Sequence, residues 1–258
     1  DYHLKDIDNG IMDEPPISYY AMGKEQWRHV YDWMPHDSKY KTFLCSADKK
    51  LIEKNKDKTE GCLHYAIDKK FGTGGGARWN SLTVKYRYNR RIAYNDWTRR
   101  TKNLLHFTSE PLTKNMELTG HATAEIYLSS DAKDVQLFVY ISSVDKFGKA
   151  THITEGQFRG LHRKESTKKS PVPTFAPYHT FNKEDAMGWI PNKVEKIHFE
   201  LIPTSHLIKK GERIRISIAG ADVDHFDEID EKTSNPSSMQ LFCTNEFPSQ
   251  IHLPLMVV

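Results

Sequence analysis

A chain of 258 residues can bury a full core without disulfide or metal staples, and all-β sandwiches of this size are often a single domain. Its 37 basic and 34 acidic side chains leave a net charge of +3, so no global field calls for nucleic acid or an anionic membrane. Cys45, Cys62 and Cys243 are too few and too scattered for a disulfide framework or a zinc site, which points to free thiols in a reducing, cytoplasmic compartment.

No apolar run approaches the roughly 20 residues of a membrane span, and Asp1 to Lys5 is not a signal peptide, so no membrane partner is expected. Leu4 and Ile7 lie at helical spacing in a segment too short to stand alone as a helix, and it reads as the tail of a longer one. Asn9-Gly10 and Pro15-Pro16 mark a turn-rich entry, after which Ile17, Tyr19 and Ala21 alternate into a first strand ending at Met22-Gly23. Trp27 to Pro35 is aromatic and irregular, and its two tryptophans are expected to anchor a loop on the core. Thr42 to Cys45 and Cys62 to Tyr65 read as short strands around a lysine-rich, solvated excursion from Asp48 to Glu60.

The loop Gly72-Thr73-Gly74-Gly75-Gly76-Ala77-Arg78-Trp79-Asn80 lacks the lysine-serine ending and strand-to-helix setting of a phosphate cradle. Its glycines permit close backbone approach; the loop is either a flexible surface segment or a tight turn presenting Arg78 and Trp79. Lys85 to Lys102 interleaves seven basic residues with Tyr86, Tyr88, Tyr94 and Trp97. That pattern suits single-stranded nucleic acid, but a solvated strand face gives the same string and is the preferred reading.

The spine of the chain is a long alternating strand from Met116 to Leu128, with Met116, Leu118, Ala124, Ile126 and Leu128 on a dry face and Glu117, Thr119, Thr123, Glu125 and Tyr127 on a wet one. Val135, Leu137, Val139 and Ile141 alternate next, with Gln136, Phe138, Tyr140 and Ser142 on the other side, and Lys149 to Arg159 returns after the turn Asp145-Lys146-Phe147-Gly148. The three runs predict a β-meander. Lys164 to Pro177 reads as a basic linker and Tyr178 to Trp189 as an irregular loop. Ile197, Phe199 and Leu201, then Ile214, Ile216 and Ile218, then Ile251, Leu253 and Leu255 mark further strands, with Pro254 arguing for an edge position. The acidic loop Asp222, Asp224, Asp227, Glu228, Asp230 and Glu231 lacks EF-hand spacing and reads as a solvated or interface loop rather than a calcium site. Many strands, no long amphipathic helix and long connections predict an all-β, two-sheet β-sandwich of jelly-roll type.

Catalytic machinery is missing from the pattern. No serine sits in a Gly-x-Ser-x-Gly elbow, none of the 13 histidines stands beside an activated Ser or Cys, and no paired His-Glu zinc motif occurs. No metal and no cofactor is expected.

The sequence resembles the C-terminal jelly-roll, galactose-binding-like domain of the X-Pro dipeptidyl-peptidase and cocaine-esterase (CocE/NonD) group of α/β hydrolases, which includes acylases. The residues that carry the likeness are Leu4-Lys5, Met22-Gly23, Trp27-Arg28, Trp33 to Pro35, Thr108-Ser109-Glu110-Pro111-Leu112, Leu118-Thr119-Gly120, Gly156 with Arg159 and Arg163, Thr204-Ser205, Gly211 to Arg215, and Leu253-Pro254. The resemblance implies a division into 1–14, the end of a catalytic-domain helix with its linker, and 15–258, a noncatalytic sandwich. It also implies that the serine, aspartate and histidine of a serine hydrolase lie in an upstream α/β-hydrolase domain, the partner on which the sandwich packs while walling the cleft for an ester, amide or peptide substrate. Arg78, Trp79 and Asn80 on one loop, and Asp222 and Phe226 on another, become candidates for substrate binding. Where many relatives carry a Ser-Ser-x-Phe-Pro type sequence, this chain reads Ala219-Gly220-Ala221-Asp222-Val223-Asp224-His225-Phe226, a more acidic wall that suits a cationic group such as a free amine. A homo-oligomer is compatible with this role. The rival readings are a carbohydrate-binding module using Trp79, Trp97 or Trp189 as platforms, and single-strand nucleic-acid binding through Lys85 to Lys102.

Overall fold

A computed structural model of the chain describes residues 1–80, 86, 97–229 and 237–258. Its strands in chain order are β1 (Ile17–Ala21), β2 (Gln26–Val30), β3 (Lys39–Cys45), β4 (Leu51–Glu53), β5 (Cys62–Ala66), β6 (Leu105–Thr108), β7 (Met116–Gly120) and β8 (Thr123–Ser129). They continue as β9 (Gln136–Val144), β10 (Ala150–Arg159), β11 (Glu195–Glu200), β12 (Thr204–Ile208), β13 (Arg213–Ala219), β14 (Ser238–Phe242) and β15 (Gln250–Val257). The described helices α1 (Tyr2–Lys5) and α2 (Trp97–Arg100) are single turns, and no helix among the described residues is long and apolar enough to cross a membrane. Cys45, Cys62 and Cys243 are free thiols.

The strands form a four-stranded sheet in the order β10-β9-β13-β6, a larger sheet built around β7, β8 and β15, and a separate β1-β2 hairpin. Leu137, Val139, Ile141, Ile214, Ile216 and Ile218 from the first sheet share one core with Leu118, Ile126, Leu128, Ile197, Ile251 and Leu253 from the second, as a β-sandwich requires.

The predicted spine exists, but bent. β7 and β8 run along the same neighbour, with Met116 opposite Val257 and Leu118 opposite Leu255, then Thr123 opposite His252 and Glu125 opposite Gln250, so the register slips by two residues between them. Gly120 makes the bend possible: its φ is +129°, and a Cβ there would fall 2.2 Å from the Met34 sulfur. Its wet face is only partly wet. Glu117, Thr119 and Thr123 are buried because the β1-β2 hairpin and the chain after it cover this side. Arg28 Nη2 donates to Glu117 Oε2 at 2.7 Å, Thr119 Oγ1 donates to Glu117 Oε1, and the Ser38 hydroxyl donates to the Thr119 carbonyl. Trp27 is 61% exposed and does not anchor that hairpin; Trp33 does, edge-on to Tyr19 and His121.

Three further expectations are corrected. The meander is not continuous, since β8 and β9 lie in different sheets and only β9 and β10 form a hairpin. The connection crosses the sandwich because buried Asp134 fixes its end, accepting from the Val135 and Leu161 amides and from Arg159 Nε at 2.6 Å. The Asp48 to Glu60 excursion contains β4, whose Leu51 is buried in the core. Pro254 is not at an edge: β15 is flanked by β3 on one side and by β7 and β8 on the other. Leu253 and Pro254 sit where the neighbour changes from β8 to β7, opposite the Gly120 bend, and a Cβ on Gly120 would lie 3.2 Å from the Pro254 ring.

Candidate functional site

Phe138 and Tyr140 point away from the core on β9, yet both are buried. Apolar rings on the outer face of a sheet must be covered, and three segments distant in sequence cover these: the glycine-rich loop, α2 and the acidic loop after β13. Phe71 and Trp97 pack edge-on to Tyr140, and Phe226 packs edge-on to Phe138. The outer row of this sheet is readable from the register. His106 on β6 faces Ser217 on β13, Ser217 faces Tyr140 on β9, and Tyr140 faces Glu155 on β10.

The two loops are closely bonded to each other. Thr73 donates through its amide and hydroxyl to the Asp222 carboxylate at 3.0 and 2.9 Å, and the Tyr140 hydroxyl donates to the same group at 3.4 Å. Three donors are what a carboxylate that is only 2% exposed needs to offset its lost hydration. Gly74 donates to Asp224 Oδ2 at 2.7 Å, Val223 donates to the Phe71 carbonyl, and the His225 ring nitrogen lies 3.0 Å from the Gly74 carbonyl. Arg100 of α2 donates to the Gly72 carbonyl and stands 3.9 Å from Asp224, offsetting part of the acidic loop's charge. A Cβ on Gly72 would fall 2.2 Å from Asp224 Oδ2, and one on Gly74, whose φ is +81°, 2.8 Å from the Arg100 guanidinium. At Gly72 and Gly74 the backbone is pressed against these two side chains, which leaves no room for a Cβ.

This brings four of the five candidate side chains into one neighbourhood. Trp79, 41% exposed, stands edge-on to Phe226 with ring centroids 5.3 Å apart. Arg78 Nε lies 3.9 Å from Glu155 Oε1, whose side chain is fully buried, and His152 Nε2 lies 3.3 Å from the other Glu155 oxygen. Burial, aided by the Arg78 charge, pulls His152 down to about 3, so its ring is neutral at ordinary pH. Asp222 faces inward and braces the loop, and Asn80 closes the short 3-10 turn Arg78–Asn80. His106 Nδ1 and Ser217 Oγ are 2.9 Å apart, a pair invisible to spacing arguments, but Ser217 is fully buried and no carbonyl substrate reaches it.

The rival platforms fare differently. Trp97 is buried against Tyr140 and His152, and Trp189 is buried beneath the Arg163 guanidinium, so neither presents a ring to a sugar. Lys85, Arg87, Arg90 and Arg91 lie outside the described residues, Tyr86 is exposed, and Arg100 is occupied by the glycine-rich loop.

The sequence motifs pair up in space. Ser109 exchanges bonds with Ile214, and its carbonyl accepts from Arg213, tying Thr108 to Leu112 to the Gly211 to Arg215 segment; Thr119 and Ser205 hydroxyls meet at 2.8 Å. These residues serve the frame rather than a reaction. The family model of the X-Pro dipeptidyl-peptidase C-terminal non-catalytic domain matches residues 9–252. The chain belongs to this family.

As a member of the X-Pro dipeptidyl-peptidase C-terminal domain family, it is 37% identical over 226 residues to a Mycobacterium bovis protein provisionally named serine esterase Mb1866c, covering 88% of this chain and 35% of that protein. It is 21% identical over 277 residues to the cocaine esterase of a Rhodococcus species, covering 99% of this chain and 44% of that enzyme. A CocE/NonD family hydrolase from Staphylococcus aureus has the same fold, with a TM-score of 0.71 at 16% identity over 99% of this chain and 44% of its own. The chain thus spans between about a third and under half of the length of these relatives.

Proposed function

We propose that this noncatalytic β-sandwich walls the substrate cleft of a serine hydrolase whose nucleophile, acid and histidine belong to an upstream α/β-hydrolase domain, and that Arg78, Trp79 and Phe226 form the wall. The observation that carries the reading is the clamped glycine-rich loop. A loop held by Asp222, Asp224 and Arg100 presents a half-exposed Trp79 and a partly exposed Arg78 on a rigid base, as a positioning surface for an acyl group demands. The esterase names of the relatives support ester cleavage, which a serine nucleophile carries out through an acyl-enzyme. Asp224 and Asp227 are exposed on the same rim and suit a substrate bearing a free amine. Leu4, Ile7, Ile11 and Met12 are exposed apolar side chains near the chain start that suit packing on the catalytic domain.

The test is Trp79→Ala in the full-length enzyme, assayed on a panel of acyl groups including an α-amino acyl ester, with a fluorophosphonate probe locating the reactive serine. The expected result is a KM or specificity change with an unaltered unfolding midpoint, and labelling upstream of this domain. Unchanged kinetics across the panel would remove the loop from the cleft, and an adduct within these residues would overturn the noncatalytic assignment.

A further inference from the structure

On the other sheet, three adjacent strands bring Glu125, His198 and His252 together. His198 on β11 lies directly across from Glu125 on β8, and Glu125 lies across from Gln250 on β15, two residues from His252 on the same face. Because Ile197, Phe199, Ala124, Ile126, Ile251 and Leu253 point into the core, strand alternation sends the three polar side chains to the outer face. One nitrogen of each imidazole and one carboxylate oxygen lie within 4.8 Å of one another, and each residue is half-buried.

We propose that Glu125, His198 and His252 form a site for a divalent transition-metal ion of the zinc, copper or nickel type. The donor set is one that such ions take: two neutral imidazoles and one carboxylate, with a fourth position left for water. Around a tetrahedral zinc, donors stand about 3.3 Å apart; His198 Nδ1 and Glu125 Oε2 are already at 3.8 Å.

Two further features bear on the site. His252 Nδ1 lies 2.9 Å from Thr42 Oγ1 on β3, the kind of outer contact that fixes the tautomer and orientation of a metal-binding imidazole. Of the two lysines near the site, Lys196 Nζ sits 2.7 Å from Glu165, while Lys54 acts on His252.

The experiment uses the full-length, tag-free protein, stripped with chelator and titrated with Zn²⁺ by calorimetry, alongside His198→Gln, His252→Gln and Glu125→Gln. The wild type is expected to take up one equivalent of zinc more than each variant at micromolar protein, with all four sharing an unfolding midpoint in chelator. Thr42→Val is expected to keep the stoichiometry but weaken binding about 10- to 100-fold. Should the histidine variants fail to fold, Cu²⁺ added to the wild type must show two imidazole nitrogens by pulsed electron paramagnetic resonance, a readout that needs no variant. Equal zinc stoichiometry in wild type and variants, or a copper spectrum with fewer than two coordinated imidazoles, would overturn the proposal.

Discussion

Thr73 Oγ1 lies 2.9 Å from Asp222 Oδ2, although 149 residues separate them in the chain. This buried bond, with the amide bond beside it, joins the glycine-rich loop to the acidic loop. Asp222→Ala leaves the Thr73 donors and the Tyr140 hydroxyl without that acceptor, and unfolding free energy is expected to fall by at least about 1–3 kcal/mol. Urea unfolding measures the loss. On the proposed role of this loop as a cleft wall, the same change in the full-length protein is expected to raise KM, because the loop carrying Trp79 is no longer held.

Gly72→Ala is expected to push the two loops apart, since its Cβ would fall 2.2 Å from Asp224 Oδ2 and 3.2 Å from the Asp224 amide nitrogen. Removing the carboxylate relieves the first clash but not the second. The double variant Gly72→Ala/Asp224→Ala should therefore be more stable than the sum of the two single losses predicts, with a coupling of about 0.5–3 kcal/mol. Strict additivity would show that the close approach of these residues does not govern the loop.

Glu117 has a fully buried side chain, and Arg28 reaches it from the hairpin. Arg28→Met strands the carboxylate, with an expected loss of about 3 kcal/mol, whereas Arg28→Met/Glu117→Leu removes both charges and should recover much of it. Denaturant midpoints of the two variants decide. If the double variant is no more stable than the single one, the Thr119 and Ser205 hydroxyls, not the ion pair, hold this corner together.

Acid lability has a named source. Burial, aided by the Arg215 charge, pulls His106 down to about 4 from 6.5. The unfolded chain therefore takes the proton first as pH falls. Stability tied to the neutral ring is complete above pH 6.5 and is lost as pH drops toward 4, at up to about 1.4 kcal/mol per pH unit. His152, held lower still, acts in the same direction over a wider window. His106→Gln should flatten the stability-against-pH curve over this range in urea titrations; an unchanged slope would exonerate His106.

Legibility in the sequence followed physical range. Period-two alternation marked Met116 to Leu128, Ile197 to Leu201 and Ile214 to Ile218 as strands, because alternation is local and one face meets the core. It misjudged Glu117 and Thr119 on β7 and did not reveal the burial of Phe138 and Tyr140 on β9, for one reason: alternation separates two faces but does not say which outer face another segment will cover. Nor does the sequence reveal that Trp97 and Trp189, candidate platforms in the carbohydrate-binding alternative, are buried. Pro254 suggested an edge because the rule for proline assumes an unbroken neighbour, and the register slip at Gly120 supplies a broken one.

By itself, the sequence determined the all-β class, the absence of a serine elbow and the run of motifs that matches the family, since each rests on residues near one another in the chain. Only the tertiary structure decided that Arg78, Trp79 and Phe226 share one surface, that Asp222 faces inward, and that Glu125, His198 and His252 meet. Those arrangements depend on strand register and on which loop crosses which face. Both are set by the packing of the whole sandwich, where a shift of one residue sends a side chain to the opposite side of its sheet.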